Sequence, residues 1–580
     1  MPRNGYTNLS GYVLYNKKYK DAGGYFILPE DVLGPINNTF FDILSEAGIE
    51  VRLVSENEKK KHVAKNAHGR KSKLGANEKQ VSFDMQESNQ EYADTPQMRT
   101  VEITDQVVEW LDNPWVDFIL ANLLSSDMMK HTGNYQSALK GNKITDENLG
   151  RIIRKVNRIS KPIIREIEKE ISEATREFPD IVDKIGVYKA AEFLEIKGWF
   201  AVAERIRKMA AKAPILVLSA DHGASEDGLK AKVQESTTAH TANPVPYIIY
   251  DLLNPRITLQ EGRTIRNNAA TLLHLMGMDI PDEYESSLID NSYKGQPRRI
   301  VNLILDGWGI NPDPDYEFNA IKNSKPENYN WLVENASFVS VAAHGEVIGL
   351  RKNLSPFKKD HHSHDLQPGA TDIGHFSHFA GRLKKQAIVK VDEFINGELS
   401  TGIFDANNEK LQPIVKKMKR IIKEGKKFHH IAVGSEGGVH SCLSHMFALM
   451  RMAKALGMEK DQFVIHFIAD GRDVGPITAD LFLSDVYEVI EEAGIGVVGT
   501  FFGRTDLVRK DGFEHITNRI ISILEGDVKK FTVNSIKKYT ITSEQASENE
   551  AAAQLTQDGT QIDPENSLDK DAHLSLKTSI

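Results

Sequence analysis

The run Arg299-Ile300-Val301-Asn302-Leu303-Ile304-Leu305 is apolar at nearly every position and ends in Asp306-Gly307-Trp308-Gly309. A strand with no polar face needs cover on both sides, which places it in the middle of a parallel sheet between helices. Asp306 then stands at the carboxyl end of a central strand, the edge at which open α/β sheets bind ligands. Ile215-Leu216-Val217-Leu218 repeats the pattern and ends in Ser219-Ala220-Asp221-His222-Gly223. A strand over 116–121 precedes Ser126-Asp127-Met128-Met129-Lys130-His131, and His240 lies just ahead of the β-branched run 247–250. Four strand ends thus carry side chains of ligand type.

The intervening segments fill in an α/β alternation. A helix followed by a strand at 50–54 starts it, and the charge cluster 56–62 reads as a solvated loop. Residues 71–96 are polar and weakly periodic, which predicts a long surface connection. A helix over 101–112 follows. If residues 126–133 open a helix, Asp127 and His131 share a face at i and i+4 and can chelate one divalent ion, although an ordinary surface pair has the same spacing. Residues 146–213 read as mostly helical, with Ile152, Ile153, Val156 and Ile159 on one buried face. A short helix spans 267–278, 281–297 is turn-rich, and 351–364 is Lys- and His-rich, an inserted surface loop. Then comes Pro368-Gly369-Ala370-Thr371-Asp372-Ile373-Gly374-His375. Its Thr371 reads locally as a helix N-cap; as a nucleophile its hydroxyl would need a metal ion or a base. A second α/β pattern follows, with helices at 413–424 and 443–456 and strands at 430–433, 463–468 and 497–502. Residues 541–580 have few large apolar side chains, which predicts a disordered tail.

With 580 residues the chain predicts two or three domains. No apolar run approaches the roughly 18 residues of a membrane span. The net charge of -9 argues against general nucleic-acid binding. Cys442 is the one cysteine, so no intrachain disulfide forms, and the start has no signal-peptide pattern. The expectation is a cytoplasmic protein with no nucleic-acid or membrane partner.

Asp127, His131, Asp221, His222, His240, Asp306 and Thr371 offer oxygen and imidazole ligands sufficient for two divalent ions, their mixed hardness suiting Mn²⁺ or Zn²⁺ better than Mg²⁺. Paired ions stabilise in-line phosphoryl displacement, and Arg472, Arg504 and Arg509 at strand ends of the second α/β region can grip phosphate and carboxylate. Phosphoryl transfer on a small anion is the reaction class this predicts.

These motifs resemble those of the 2,3-bisphosphoglycerate-independent phosphoglycerate mutases, two-domain metalloenzymes of the alkaline phosphatase superfamily. The resemblance covers about 26–155 and 214–535, through 305–309, 319–321, 345–350, 371–375, 380–382, 437–441, 470–473, 127–133, 220–223 and 238–246. It implies an α/β fold with an alkaline-phosphatase-like three-layer domain and a second, smaller α/β transferase-like domain. The first would span 30–385, with a helical insertion at about 155–213 and a loop insertion at about 351–364; the second 386–535 with about 1–29. The motif order is rotated relative to the family, as in a circular permutant joined through 290–297.

Residue by residue, the resemblance implies one metal site from Asp127, His131 and His240 and another from Asp306, Thr371, Asp221 and His222. Mn²⁺ is the first choice, Zn²⁺ or Co²⁺ the alternatives. Thr371 would accept the phosphate and Lys59 would stabilise it. His440, Arg472, Asp473, Arg504 and Arg509 would hold phosphoglycerate, with Asp473 as general base. A monomer is expected. Thr371 stands where the family has serine, Ala370 replaces an asparagine, and the family's Arg-x-x-Arg pair has no counterpart. A metal-dependent phosphatase and a non-catalytic homologue remain alternatives.

Overall fold

The apolar runs that end in Asp221 and Asp306 are neighbours in one sheet of the computed structural model, which describes residues 9–13, 23–27, 35–71, 73–84, 92–175, 181–230, 235–236, 238–255, 257–290, 293, 295–351, 366–398, 412–435, 441–471, 474, 478–503, 530–531 and 561–562. The chain divides into two units: residues 35–352 with 366–384, and residues 1–34 with 353–365 and 385–580. In the latter, β1 (Leu9–Val13) and β2 (Gly23–Ile27) form a parallel pair.

The first unit is built on a seven-stranded sheet of β3 (Val51–Glu56), β4 (Glu78–Phe83), β5 (Phe118–Leu123), β6 (Ile215–Ser219), β7 (Val245–Tyr250), β8 (Ile300–Leu305) and β9 (Ser337–Val341). Its spatial order is β9-β7-β6-β8-β5-β3-β4. β6, β8, β5, β3 and β4 run parallel, whereas β7 is antiparallel to both β6 and β9. As its composition requires, β8 is central, with Ile300 opposite Phe118 on one side and Ile215 on the other. Helices α1 (Phe40–Glu46), α2 (Thr100–Asp112), α3 (Ser125–His131), α4 (Tyr135–Thr175), α5 (Val187–Ile196), α6 (Phe200–Ala210), α7 (Asn268–Leu275) and α8 (Thr371–Ala380) are among the helices of the unit. Phe40, Phe41, Phe118, Phe376 and Phe379 are buried in its core.

Two expectations are corrected. Residues 71–96 do not form a continuous surface connection, because β4 pairs there with β3, Val51 opposite Glu78. An edge strand needs little apolar surface, so its alternation of Lys79, Gln80 and Ser82 hides the pattern. The cluster 56–62 is solvated only in part: Asn57, Lys60 and Lys61 are exposed, whereas Glu56 and Lys59 are buried, and a π-helical turn, His62–Asn66, follows.

The helical stretch begins earlier than 146, since α4 runs 41 residues from Tyr135 with Pro162 inside it. Its far end, with α5 and α6, builds a separate core around Ile167, Ile171, Val187, Leu194 and Ile206. At the foot of this core Arg298 holds Asp251 bidentately, at 2.9 and 3.2 Å, with both side chains buried. Removing one partner strands a buried charge. Asp251→Ala should therefore lower stability by about 3–5 kcal/mol, and the double change Asp251→Leu with Arg298→Met should recover most of that in urea unfolding.

In the second unit β10 (Phe428–Gly434), β11 (Phe463–Ala469) and β12 (Val497–Phe502) run parallel. Helices α9 (Ala387–Glu398), α10 (Gln412–Lys423), α11 (Leu443–Ala455) and α12 (Ala479–Ala493) accompany them, and Met446, Phe447, Phe467 and Phe482 are buried in its core. Of residues 541–580, Gln561–Ile562 lies within the described part and forms a two-residue strand opposite Thr500.

Candidate metal centre

The carboxyl ends of four adjacent strands, β6, β8, β5 and β3, converge on one buried cluster. Asp221 and His222 follow β6, Asp306 follows β8, Asp127 lies on α3 just after β5, and Lys59 lies in the turn after β3. Because β7 is antiparallel to β6, His240, which precedes it, reaches the same edge. A parallel sheet supplies this convergence without any local signal, since every parallel strand delivers its following loop to one side.

Thr371 arrives on α8. The N-cap of that helix is Ala370, so the threonine hydroxyl is not used in capping, contrary to its local reading. It lies instead 2.6 Å from Lys59 Nζ and 3.2 Å from His222 Nε2. Gly374 allows the approach: a Cβ there would stand 2.5 Å from the Asp221 carbonyl oxygen. Gly307, at φ +71°, turns the chain after Asp306 where a side chain would press on Asp127.

Lys59 Nζ is also 2.9 Å from Asp127 Oδ2 and 3.0 Å from Asp306 Oδ1. Burial alone would push this ammonium down, but Asp127, Asp306 and Asp221 outweigh it and hold its pKa above the ordinary lysine value. Burial raises the Asp306 carboxyl well above the usual range, helped by Asp221, and raises Asp221 to about 6. Asp127 is buried too, yet the Lys59 ammonium holds it well below its ordinary value. His222 is kept neutral by burial and by His240, whose ring stacks on it at 3.8 Å.

Two groups of side chains can each hold a cation: Asp127, His222 and His240, and Asp221, His222 and Asp306, with ligand atoms within 4.8 Å of one another in each. His131 Nε2 lies 3.3 Å from Asp127 Oδ1 and 3.0 Å from His240 Nε2. The Nδ1 atoms of His131 and His240 face the carbonyl oxygens of Thr238 and Gly369, each at 2.8 Å. Those contacts place the ring protons on Nδ1 and turn two Nε2 lone pairs toward each other, an arrangement a cation relieves. Asp127 Oδ1 and Asp221 Oδ2, both buried, have no hydrogen-bond partner among the described residues. A buried carboxylate oxygen left so is costly unless a cation meets it. The residues present therefore fit divalent ions, and imidazole and carboxylate together suit first-row transition metals.

The structure thus brings together Lys59, Asp127, His131, Asp221, His222, His240, Asp306 and Thr371. His440, Arg472, Asp473, Arg504 and Arg509 lie outside the described residues. Asn122, His62 and His375 also belong to this neighbourhood and were not singled out by the sequence reading. Asn122 Nδ2 donates to Asp306 Oδ2 at 2.7 Å, and the His62 and His375 rings are 6.2 Å apart. Burial, with Lys59 adding to it, lowers His62 to about 4. An asparagine inside the apolar run Phe118–Leu123 was the available signal.

Residues 33–164 and 201–280 match the metalloenzyme superfamily, and residues 395–570 match the family described as BPG-independent PGAM N-terminus. In part of its length the chain is similar to curated 2,3-bisphosphoglycerate-independent phosphoglycerate mutases. It is 31% identical to the mutase of that name from Symbiobacterium thermophilum, over 37% of this chain and 37% of that one. The Moorella thermoacetica mutase matches at 31% over the same shares, and the Rhodopirellula baltica mutase at 29% over 37% of this chain and 36% of its own. The chain thus spans a little over a third of the length of these curated mutases in the matched region. A solved structure of Leishmania mexicana phosphoglycerate mutase at low cobalt concentration overlaps 48% of this chain and 44% of that one, at 19% identity and a TM-score of 0.35, too low to bear on the site. The match to the metalloenzyme superfamily accords with the two groups of side chains that could each hold a cation.

Proposed function

We propose that this protein interconverts 3-phosphoglycerate and 2-phosphoglycerate through a phosphorylated Thr371, on a site holding two divalent ions, Mn²⁺ first among them. The observation that carries the reading is the Thr371 hydroxyl, held between Lys59 Nζ at 2.6 Å and His222 Nε2 at 3.2 Å inside a carboxylate cluster. One cation would be held by Asp127, His131 and His240, the other by Asp221, His222, Asp306 and Thr371, with His222 near both groups. Bound there, the ions would neutralise the phosphate and favour the alkoxide of Thr371.

Thr371 Oγ1 would attack the phosphorus as the bond to the glycerate oxygen breaks, with Lys59, 2.6 Å from Oγ1, giving a proton to the departing alkoxide and taking the one that Oγ1 releases. Lys59, kept cationic by its three carboxylates, faces the charge that develops on the transferring group. Glycerate would turn and its other hydroxyl would attack the phosphorus of the phosphothreonine, with Asp473 taking the proton as the bond to Thr371 Oγ1 breaks. His440, Arg472, Arg504 and Arg509 would grip the glycerate carboxylate and phosphate. Lys59 and Asp306 are buried, which would limit the access of water to the phosphothreonine.

The same reading takes the phosphatase-like domain as 30–385 and the transferase-like one as 386–535 with about 1–29, in a cytoplasmic monomer. It also takes the chain as a circular permutant, supported by a match described as an N-terminus falling at 395–570, after the metalloenzyme match. The test is phosphorus NMR of 3-phosphoglycerate with Mn²⁺-loaded protein. The expected result is a 2-phosphoglycerate signal that chelator abolishes. Release of free phosphate faster than isomer formation would make it a phosphatase, and neither product would leave a binding protein.

A further inference from the structure

We infer that Asn122 and His375 are positioning residues that lock the helix of Thr371 to the carboxylates of the second cation group, an inference that rests on the metal-site reading above. Asn122 lies in β5 among Phe118, Ile119, Leu120, Ala121 and Leu123, and its side chain is fully buried. A polar group so placed is tolerated when its hydrogens are used. Both are: Nδ2 lies 2.7 Å from Asp306 Oδ2 and 3.2 Å from His375 Nε2. The amide cannot be turned over, because Oδ1 in that place would face a carboxylate oxygen.

This fixes the imidazole as well. With Nε2 accepting from the amide, the ring proton of His375 is on Nδ1. That atom lies 3.0 Å from the carbonyl oxygen of Thr371, to which it donates, and 3.5 Å from Asp221 Oδ2. Asp306 after β8, Asn122 on β5, and His375 and Thr371 on α8 are thereby joined in one hydrogen-bonded chain, with Asp221 after β6 beside it. Asn122 Oδ1 is buried with no hydrogen-bond partner among the described residues. An apolar side chain of the same size would avoid that cost, so the two donors are what the position retains. Neither residue reaches the centre occupied by Lys59 Nζ through a hydrogen bond of its own; each acts through Asp306 or Thr371.

A merely structural role would change folding and leave both cation groups alike. Calorimetric titration of the chelator-treated full chain with Mn²⁺ separates the two, together with thermal melting before metal is added. Wild type should bind two Mn²⁺. Asn122→Leu and His375→Phe should weaken one binding event about 10–100-fold and leave the other within about threefold. His375→Asn, whose side-chain amide stands where Nδ1–H stood, should recover most of the lost affinity. Phosphate labelling of Thr371 should fall with the weakened event, with kcat lowered and KM nearly unchanged.

Unchanged Mn²⁺ affinities, equal losses at both events, a single Mn²⁺ in wild type, or His375→Asn behaving as His375→Phe would each overturn the inference. If Asn122→Leu does not fold, the two His375 variants decide it. The metal readout needs no substrate, so a wild type that binds two Mn²⁺ but does not interconvert phosphoglycerates sinks the mutase reading alone.

Discussion

Thr371→Ala is expected to lower phosphoryl transfer by at least about 10³-fold while leaving the fold and the Mn²⁺ held by Asp127, His131 and His240 in place and weakening the Mn²⁺ that Thr371 shares with Asp221, His222 and Asp306. The side chain is small, α8 is capped at Ala370 without it, and its hydroxyl is bound to Lys59 and His222 and not to backbone. Loss of activity therefore cannot come from loss of the helix. Intact-mass analysis after brief exposure to 3-phosphoglycerate should show one added phosphate on wild type and none on the alanine variant. Thr371→Ser keeps the oxygen and removes the methyl, and should stay within about tenfold of wild type. A phosphorylated alanine variant, or one with more than a tenth of wild-type activity, would remove Thr371 from the chemistry.

Lys59→Met should act on stability and rate in opposite metal regimes. In chelated protein it leaves Asp127, Asp221 and Asp306 buried with no ammonium among them, at a cost of about 3–5 kcal/mol. Divalent ions supply the missing charge, so Mn²⁺ should restore the melting temperature far more in this variant than in wild type. The rate should not follow, since the cation facing the transferring phosphate is gone, and kcat should remain down about 10²–10⁴-fold. Equal stabilisation of both proteins by Mn²⁺ would show that the lysine and the metals do not share these carboxylates.

The wild-type cluster carries a pH signature as well. Burial pushes the Asp221 carboxyl up from an ordinary 3.8 to about 6 and raises Asp306 as well. For Asp221 a raised folded-state value means that its part of the stability is complete below about pH 4 and is lost as pH rises through about 6. Asp127, shifted the other way, changes stability only below that window. The stabilisation by Mn²⁺ should therefore grow between pH 5 and pH 7.

Much of this centre was legible before any coordinates. Apolar runs that need cover on both faces announced a parallel sheet, and the acids and imidazoles that end them named Asp127, Asp221, His222, Asp306 and, ahead of β7, His240. The i and i+4 spacing of Asp127 and His131 became a real pair at 3.3 Å on α3. Less legible were features whose cause is a neighbour distant in the chain. β4 is polar because it is an edge strand, and only its pairing with β3 identifies it. Glu56 and Lys59 looked solvated because nothing local says that β3 runs into the interior.

Residue types and strand periodicity by themselves determined the α/β class, the sheet edge at which the acids and imidazoles gather and which of those side chains are available there, because burial and hydrogen-bonding chemistry act at short range along the chain. Which groups share an ion, that the hydroxyl of Thr371 faces Lys59 and His222 and does not cap its helix, and that Asn122 ties Asp306 to His375 came from the folded chain alone. These depend on strand order. The sequence lists β3, β5, β6 and β8 in one order, but the sheet places them β6-β8-β5-β3, and hydrogen bonds across 184 and 312 residues of chain exist only after that order is set.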